Sequence, residues 1–136
     1  MKFITRKGHS VLDYLVSLVL VIAPLLTGAD RHSAKVSVPV VLGTLTILIS
    51  IFTNYEGGLI KLIPFRIHLT IDVFQALMLG FSPWVFGITG KTMTALIVIA
   101  ILEIGVVLCT DAGKQSTVQH LTIHRLNRLR QRWNRQ

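Results

Sequence analysis

Two histidine–aspartate pairs stand out in an otherwise apolar chain: His9 with Asp13, and His68 with Asp72. Four residues apart on a helix, the members of each pair share a face. Two imidazoles and two carboxylates make a reasonable ligand set for a divalent metal ion. The two imidazoles alone are also an axial pair for a haem. The plainer expectation is structural. A carboxylate in the first turn of a helix meets the positive end of the helix dipole and accepts a hydrogen bond from the imidazole beside it. Glu103 is the one acid deep in an apolar run, about 10 Å from its end. An ionised carboxylate there costs at least ~2.5 kcal/mol, so Glu103 is expected to be neutral, paired or facing water. Gln75 lies at similar depth and is the expected hydrogen-bond partner, with proton or cation handling as the functional alternative.

The elements that position these residues follow from an internal repeat. His9, Asp13, Pro24 and Gly28 recur as His68, Asp72, Pro83 and Gly87, each 59 residues later. Self-similarity at one fixed period points to a duplicated unit. Four apolar runs, about Val11 to Gly28, Val36 to Thr53, Ile67 to Gly87 and Thr92 to Thr110, are long enough to cross a bilayer as helices. The short connections between them predict antiparallel hairpins. The fold class is therefore all-α, a polytopic membrane protein of four transmembrane helices in two tandem hairpins. Its parts are a flank at 1–8, a degenerate first repeat at 9–53, a loop at 54–66, a second repeat at 67–110 and a basic tail at 111–136. Spans one and three run in the same direction, so the copies are related by an axis along the membrane normal. That places all four His and Asp side chains at one depth, near the inner boundary.

Composition agrees. Charged residues are 15% of the 136 and mean hydropathy is +0.64, against about 25% charged in soluble chains. The formal net charge of +8 is unevenly placed. Lys2, Arg6, Lys7, Lys61, Arg66, Lys114, Arg125, Arg128, Arg130, Arg132 and Arg135 fall on one side of the four spans, and only Arg31, Lys35 and Lys91 on the other. The positive-inside rule then puts both termini in the cytoplasm, with the chain in the inner (plasma) membrane. A cleaved signal peptide is the rival for the first span, given the charged start and the small residues at Thr27 to Ala29. Asp13 within the apolar stretch, and the recurrence of the pattern at 68–87, argue against it. Cys109, the only cysteine, excludes an internal disulfide and any CxxC motif.

The tail differs in kind. At 100° per residue Val118, Leu121, Leu126, Leu129 and Trp133 form one stripe, flanked by Arg125, Arg128, Arg130, Arg132 and Arg135. A basic helix of this kind suits the anionic inner leaflet. No base-reading motif accompanies the arginines, so nucleic acid is not expected as a partner.

Phe81-Ser82-Pro83-Trp84-Val85-Phe86-Gly87 resembles the signature of the SPW-repeat family of small bacterial and archaeal membrane proteins. That family is similar in carrying Ser-Pro-Trp on the first helix of a two-helix unit. The first copy departs from it, with Ala23-Pro24-Leu25 at the equivalent place. The resemblance implies an integral membrane protein and brings no reaction, substrate or cofactor. Physically, Pro83 frees the carbonyl of Leu79, Gly80 eases bending, and the Ser82 hydroxyl can rebond the freed oxygen. Trp84 falls at headgroup depth, and Gly87 closes the helix. No phosphate loop, HExxH or Ser/His/Asp arrangement is present, so neither an enzyme nor a cofactor is expected. The expectation is a scaffold, accessory subunit or stress-related membrane component; the alternative is a small transporter or channel-like element using Glu103. Small residues at Gly43, Ala76, Gly80, Ala100 and Gly105 suit close packing within the bundle or between protomers, in a homo-oligomer or larger complex.

Overall fold

The computed structural model describes residues 3–27, 29–112, 128, 130 and 131. Its helices are α1 (Arg6–Leu25), α2 (Ala34–Phe52), α3 (Phe65–Phe86) and α4 (Lys91–Cys109). Each is long and apolar enough to cross a membrane. Of the tail, Arg128 and Arg130 are exposed; Arg125, Arg132 and Trp133, with Arg135 and the amphipathic stripe, lie outside the described residues.

All four helices begin one to five residues before the apolar runs. α1 starts at Arg6 and α3 at Phe65, 59 residues apart; Arg6, Lys7 and Gly8 open α1, and Phe65 and Arg66 extend α3 ahead of its apolar run. The Thr5 hydroxyl caps α1, accepting from the Gly8 amide at 3.0 Å. This corrects the dipole expectation: Asp13 and Asp72 each lie seven residues beyond the helix start, and neither first turn contains an acid. The helix dipole is spent within one turn and does not reach them.

The Ser-Pro-Trp segment behaves as its chemistry dictates. Pro83 is buried in the last turns of α3, and Ser82 Oγ donates to the Leu79 carbonyl at 2.7 Å. Trp84 is 63% exposed on the outer surface. Gly87 ends the helix at φ 63°, a left-handed conformation that favours glycine.

α1 packs mainly on α2, and α3 mainly on α4. Glycine permits the first approach, since a Cβ on Gly43 would sit 2.8 Å from Leu20 Cβ and 2.9 Å from the Ser17 carbonyl. In the second pair Gly80 faces Ala100, at 3.2 Å from an added Cβ. Gly105 meets nothing within 4 Å and so has no packing role among the described residues. The apolar core is small: Leu20, Leu79, Ile88, Leu96 and Ala100.

The two pairs are tied together at one end by backbone. Phe3 and Ile4 donate to the Cys109 carbonyl, and Leu62 and Ile63 donate to that of Phe52. Asp111 N reaches Ile4 O, as Asn54 N reaches Ile63 O. The segment leading into α1 is thereby strapped to the end of α4, and the segment leading into α3 to the end of α2.

Candidate functional site

The straps close over a buried polar centre. His9 and His68 are 1% and 0% exposed, and Asp13 and Asp72 9% and 8%. The local pairing expected from the sequence is present, and contacts between the repeats are added to it. His9 Nε2 hydrogen-bonds to Asp72 Oδ2 at 3.1 Å, and His68 Nε2 to Asp13 Oδ2 at 2.9 Å. The local partners lie at 3.3 Å (His9 to Asp13 Oδ1) and 3.1 Å (His68 to Asp72 Oδ2). α1 and α3 bring their matching faces together, so each imidazole sits between two carboxylates.

The other ring nitrogens are held by threonines at the ends of α4 and α2. His9 Nδ1 lies 2.9 Å from Thr110 Oγ1, and His68 Nδ1 lies 3.1 Å from Thr53 Oγ1. Each hydroxyl donates its single hydrogen to the carbonyl four residues back, Thr110 to Val106 at 2.6 Å and Thr53 to Ile49 at 2.7 Å. With its hydrogen so placed, each hydroxyl is positioned to accept an Nδ1–H hydrogen bond from the imidazole. The four helices therefore contribute one histidine or one threonine each to a single network.

The two halves are not equivalent. Asp13 Oδ2 also accepts from the Tyr55 hydroxyl at 3.1 Å and from Ser50 Oγ at 3.5 Å. The second helices of the two pairs are related by 57 residues, as Thr53 and Thr110 are, so Val107 and Ala112 stand where Ser50 and Tyr55 would recur. Asp72 Oδ1 is consequently buried with no hydrogen-bond partner. Phe65 covers the centre, edge-on to His9 with ring centroids 5.5 Å apart and stacked on His68 at 6.0 Å. The Arg6 guanidinium lies 4.9 Å over the Phe65 ring and donates to the Ala112 carbonyl at 3.1 Å. Burial, and less strongly the Asp13 carboxylate, push the Tyr55 phenol above the ordinary tyrosine range.

A cavity of about 50 Å³ opens from the centre toward the bundle interior, lined among others by Val16, Thr46, Gln75, Glu103 and Val107. Gln75 and Glu103 thus share one space, but the expected hydrogen bond between them is replaced. Thr46 Oγ1 lies 3.0 Å from both the Gln75 side-chain amide and the Leu42 carbonyl, sharing its one hydrogen between them, and Gln75 Nε2 is buried without a partner. Thr46 occupies in α2 the place that Glu103 occupies in α4, 57 residues on, so it reaches the same axis. Small-molecule sites usually enclose about 300–1,000 Å³; this space does not admit a porphyrin, which removes the haem alternative.

Thr53, Thr110, Tyr55 and Phe65 were not singled out by the sequence as site residues. The signal that finds the two threonines is the second period of 57, which pairs them at the helix ends; neither period finds Tyr55 or Phe65. The shorter period is masked by the longer 59-residue match because the connection inside the second pair is shorter.

Among known proteins, no curated protein and no solved structure matches the chain. The SPW repeat domain matches residues 7–113, which takes in all four helices and both His/Asp pairs. With that match over most of its length, and four helices able to span a bilayer, the chain belongs to the SPW repeat domain family and is a multi-pass membrane protein.

Proposed function

We propose that this chain is a non-catalytic scaffold or accessory component of the inner (plasma) membrane, crossing it as two tandem helical hairpins with both termini in the cytoplasm. The observation that carries the reading is the contrast between the inside and outside of the bundle. Inside, one polar network ties all four helices at one end. Outside, Phe74, Met78, Phe81 and Val85 on α3, with Ile101 and Leu108 on α4, form exposed apolar faces. A bundle pinned in this way presents fixed faces to lipid and to neighbouring membrane proteins. The excess of Lys and Arg on one side supports the orientation, and the arginine-rich tail supports contact with anionic lipid. Purification in mild detergent followed by native mass spectrometry tests the scaffold reading. A stoichiometric partner or a homo-oligomer is expected, and a solitary monomer retained even in native-lipid discs overturns it. Reporters fused to each terminus test the orientation, which fails if the two report opposite sides.

A second reading is favoured by the cavity that joins the His/Asp centre to Glu103. On it, the chain moves protons or cations, with Glu103 as the relay group. Wild-type protein in liposomes would then conduct, and Glu103→Gln would stop the flux while leaving the fold intact. Equal flux through both proteins removes this reading.

A further inference from the structure

We propose that His9, Asp13, His68 and Asp72 bind one first-row divalent transition-metal ion per chain, as a closed four-coordinate structural site that clamps the two repeats. The argument begins with the threonines. Each imidazole has one nitrogen, Nδ1, against a threonine hydroxyl, and turns the other, Nε2, toward carboxylate oxygens of both repeats at 2.9–3.3 Å. Where Nε2 carries no proton, a nitrogen and a carboxylate oxygen at that distance need a cation between them. One divalent ion supplies it for both rings at once and also neutralises the two carboxylate charges.

Geometry agrees with this. Donor atoms of a tetrahedral ion with ~2.0 Å bonds stand about 3.3 Å apart. With Asp13 Oδ2 and Asp72 Oδ2 as the oxygen ligands, three Nε2-to-oxygen separations, at 2.9, 3.1 and 3.1 Å, are close to those edges, and one ligand atom from each of the four residues lies within 4.8 Å of the others. The widest allowed pair would close by about 1.5 Å to reach a tetrahedral edge.

Two further observations point to a ligand. Asp72 Oδ1 is a buried carboxylate oxygen with no hydrogen-bond partner. The outer shell is also complete, since a metal-bound imidazole needs its distal N–H held, and Thr53 and Thr110 do this. Phe65 seals one side, and the cavity past Val16 and Val107 offers an entry path.

The donor set selects the ion. Two imidazole nitrogens disfavour Ca²⁺ and Mg²⁺, which prefer six or more oxygens. Absence of thiolate disfavours Cu⁺. Zn²⁺ fits best, with Co²⁺ as its spectroscopic substitute, and four protein ligands leave no open position for catalysis. This proposal stands whether or not the scaffold reading does.

The test uses the full chain, purified without a polyhistidine tag, stripped with chelator and titrated with Co²⁺ and then Zn²⁺. Expected are one ion per chain, the intense visible absorption of tetrahedral Co²⁺, and its loss as Zn²⁺ displaces it. Asp72→Asn and His68→Ala should each lower affinity at least ~100-fold. Should those variants fail to fold, Thr53→Val and Thr110→Val keep the packing and should weaken binding about 10–100-fold. His120 and His124 in the tail are a second spacing capable of holding metal, so His120→Ala with His124→Ala should leave the spectrum unchanged. No tetrahedral spectrum from folded wild-type protein overturns the proposal. So does a spectrum that survives His68→Ala and the threonine variants, or one that disappears with the tail histidines.

Discussion

The two aspartates offer an internal comparison, because the repeat places them alike and their surroundings differ. Asp13→Ala and Asp72→Ala each remove a carboxylate that meets both imidazoles, but Asp13→Ala also strips the acceptor of the Tyr55 hydroxyl and of the weaker Ser50 contact. Tyr55 is 3% exposed, so its hydroxyl has no water to turn to. Leaving a buried donor unpaired costs about 1–3 kcal/mol. Measured in chelator, Asp13→Ala should therefore be the more destabilising of the two by about 1–3 kcal/mol. Tyr55→Phe should separate the cause: on its own it costs about 1 kcal/mol, and in the Asp13→Ala background it should cost nothing or restore stability. The assay is reversible unfolding in mixed micelles, with helix content as the signal and the double-mutant cycle as the readout. Equal destabilisation by the two alanines, or strict additivity of Tyr55→Phe with Asp13→Ala, would refute the reasoning.

Three more outcomes are expected. Gly43→Ala drives a methyl into Leu20 and the Ser17 carbonyl and should cost about 1–3 kcal/mol, whereas Gly105→Ala should be neutral or stabilising by up to about 1 kcal/mol; the same unfolding assay ranks them. Pro83→Ala should preserve membrane insertion and shift stability by less than about 1 kcal/mol, because Ser82 already occupies the Leu79 carbonyl; failed insertion in a fractionation assay would contradict this. For Tyr55 the folded phenol is harder to ionise than the free one, whose ordinary value is 10.0, so its contribution holds below that pH and is lost as pH rises beyond it. Alkaline unfolding should begin above that value and be eased in Tyr55→Phe, as followed by helix content against pH.

Much of the architecture is legible in the chain. The four spans follow from apolar length alone, and the cap at Gly87 and the rebonding at Ser82 follow from local chemistry that no packing overrides. The site was half legible. The 59-residue spacing brings His9, Asp13, His68 and Asp72 to one depth, but nothing in it says that each imidazole prefers the other repeat's carboxylate. That preference arises from the contact between α1 and α3, a tertiary relation. Helix starts fall a few residues ahead of the apolar runs, because hydropathy sees only those runs and is blind to turns that include Arg6 or Arg66. Gln75 finds Thr46 rather than Glu103 for a similar reason: depth along a helix is readable, rotation about its axis is not.

The account rests on one centre made from both repeats, with Nδ1–H of each buried imidazole donated to a threonine at the far helix pair. Nitrogen-15 NMR of histidine-labelled protein in lipid, with His32, His120 and His124 replaced, reads this directly. Both remaining rings should show a protonated Nδ1 coupled to a hydroxyl oxygen, lost from His9 by Thr110→Val and from His68 by Thr53→Val. Two rings carrying a bare Nδ1, indifferent to the threonines, would contradict it.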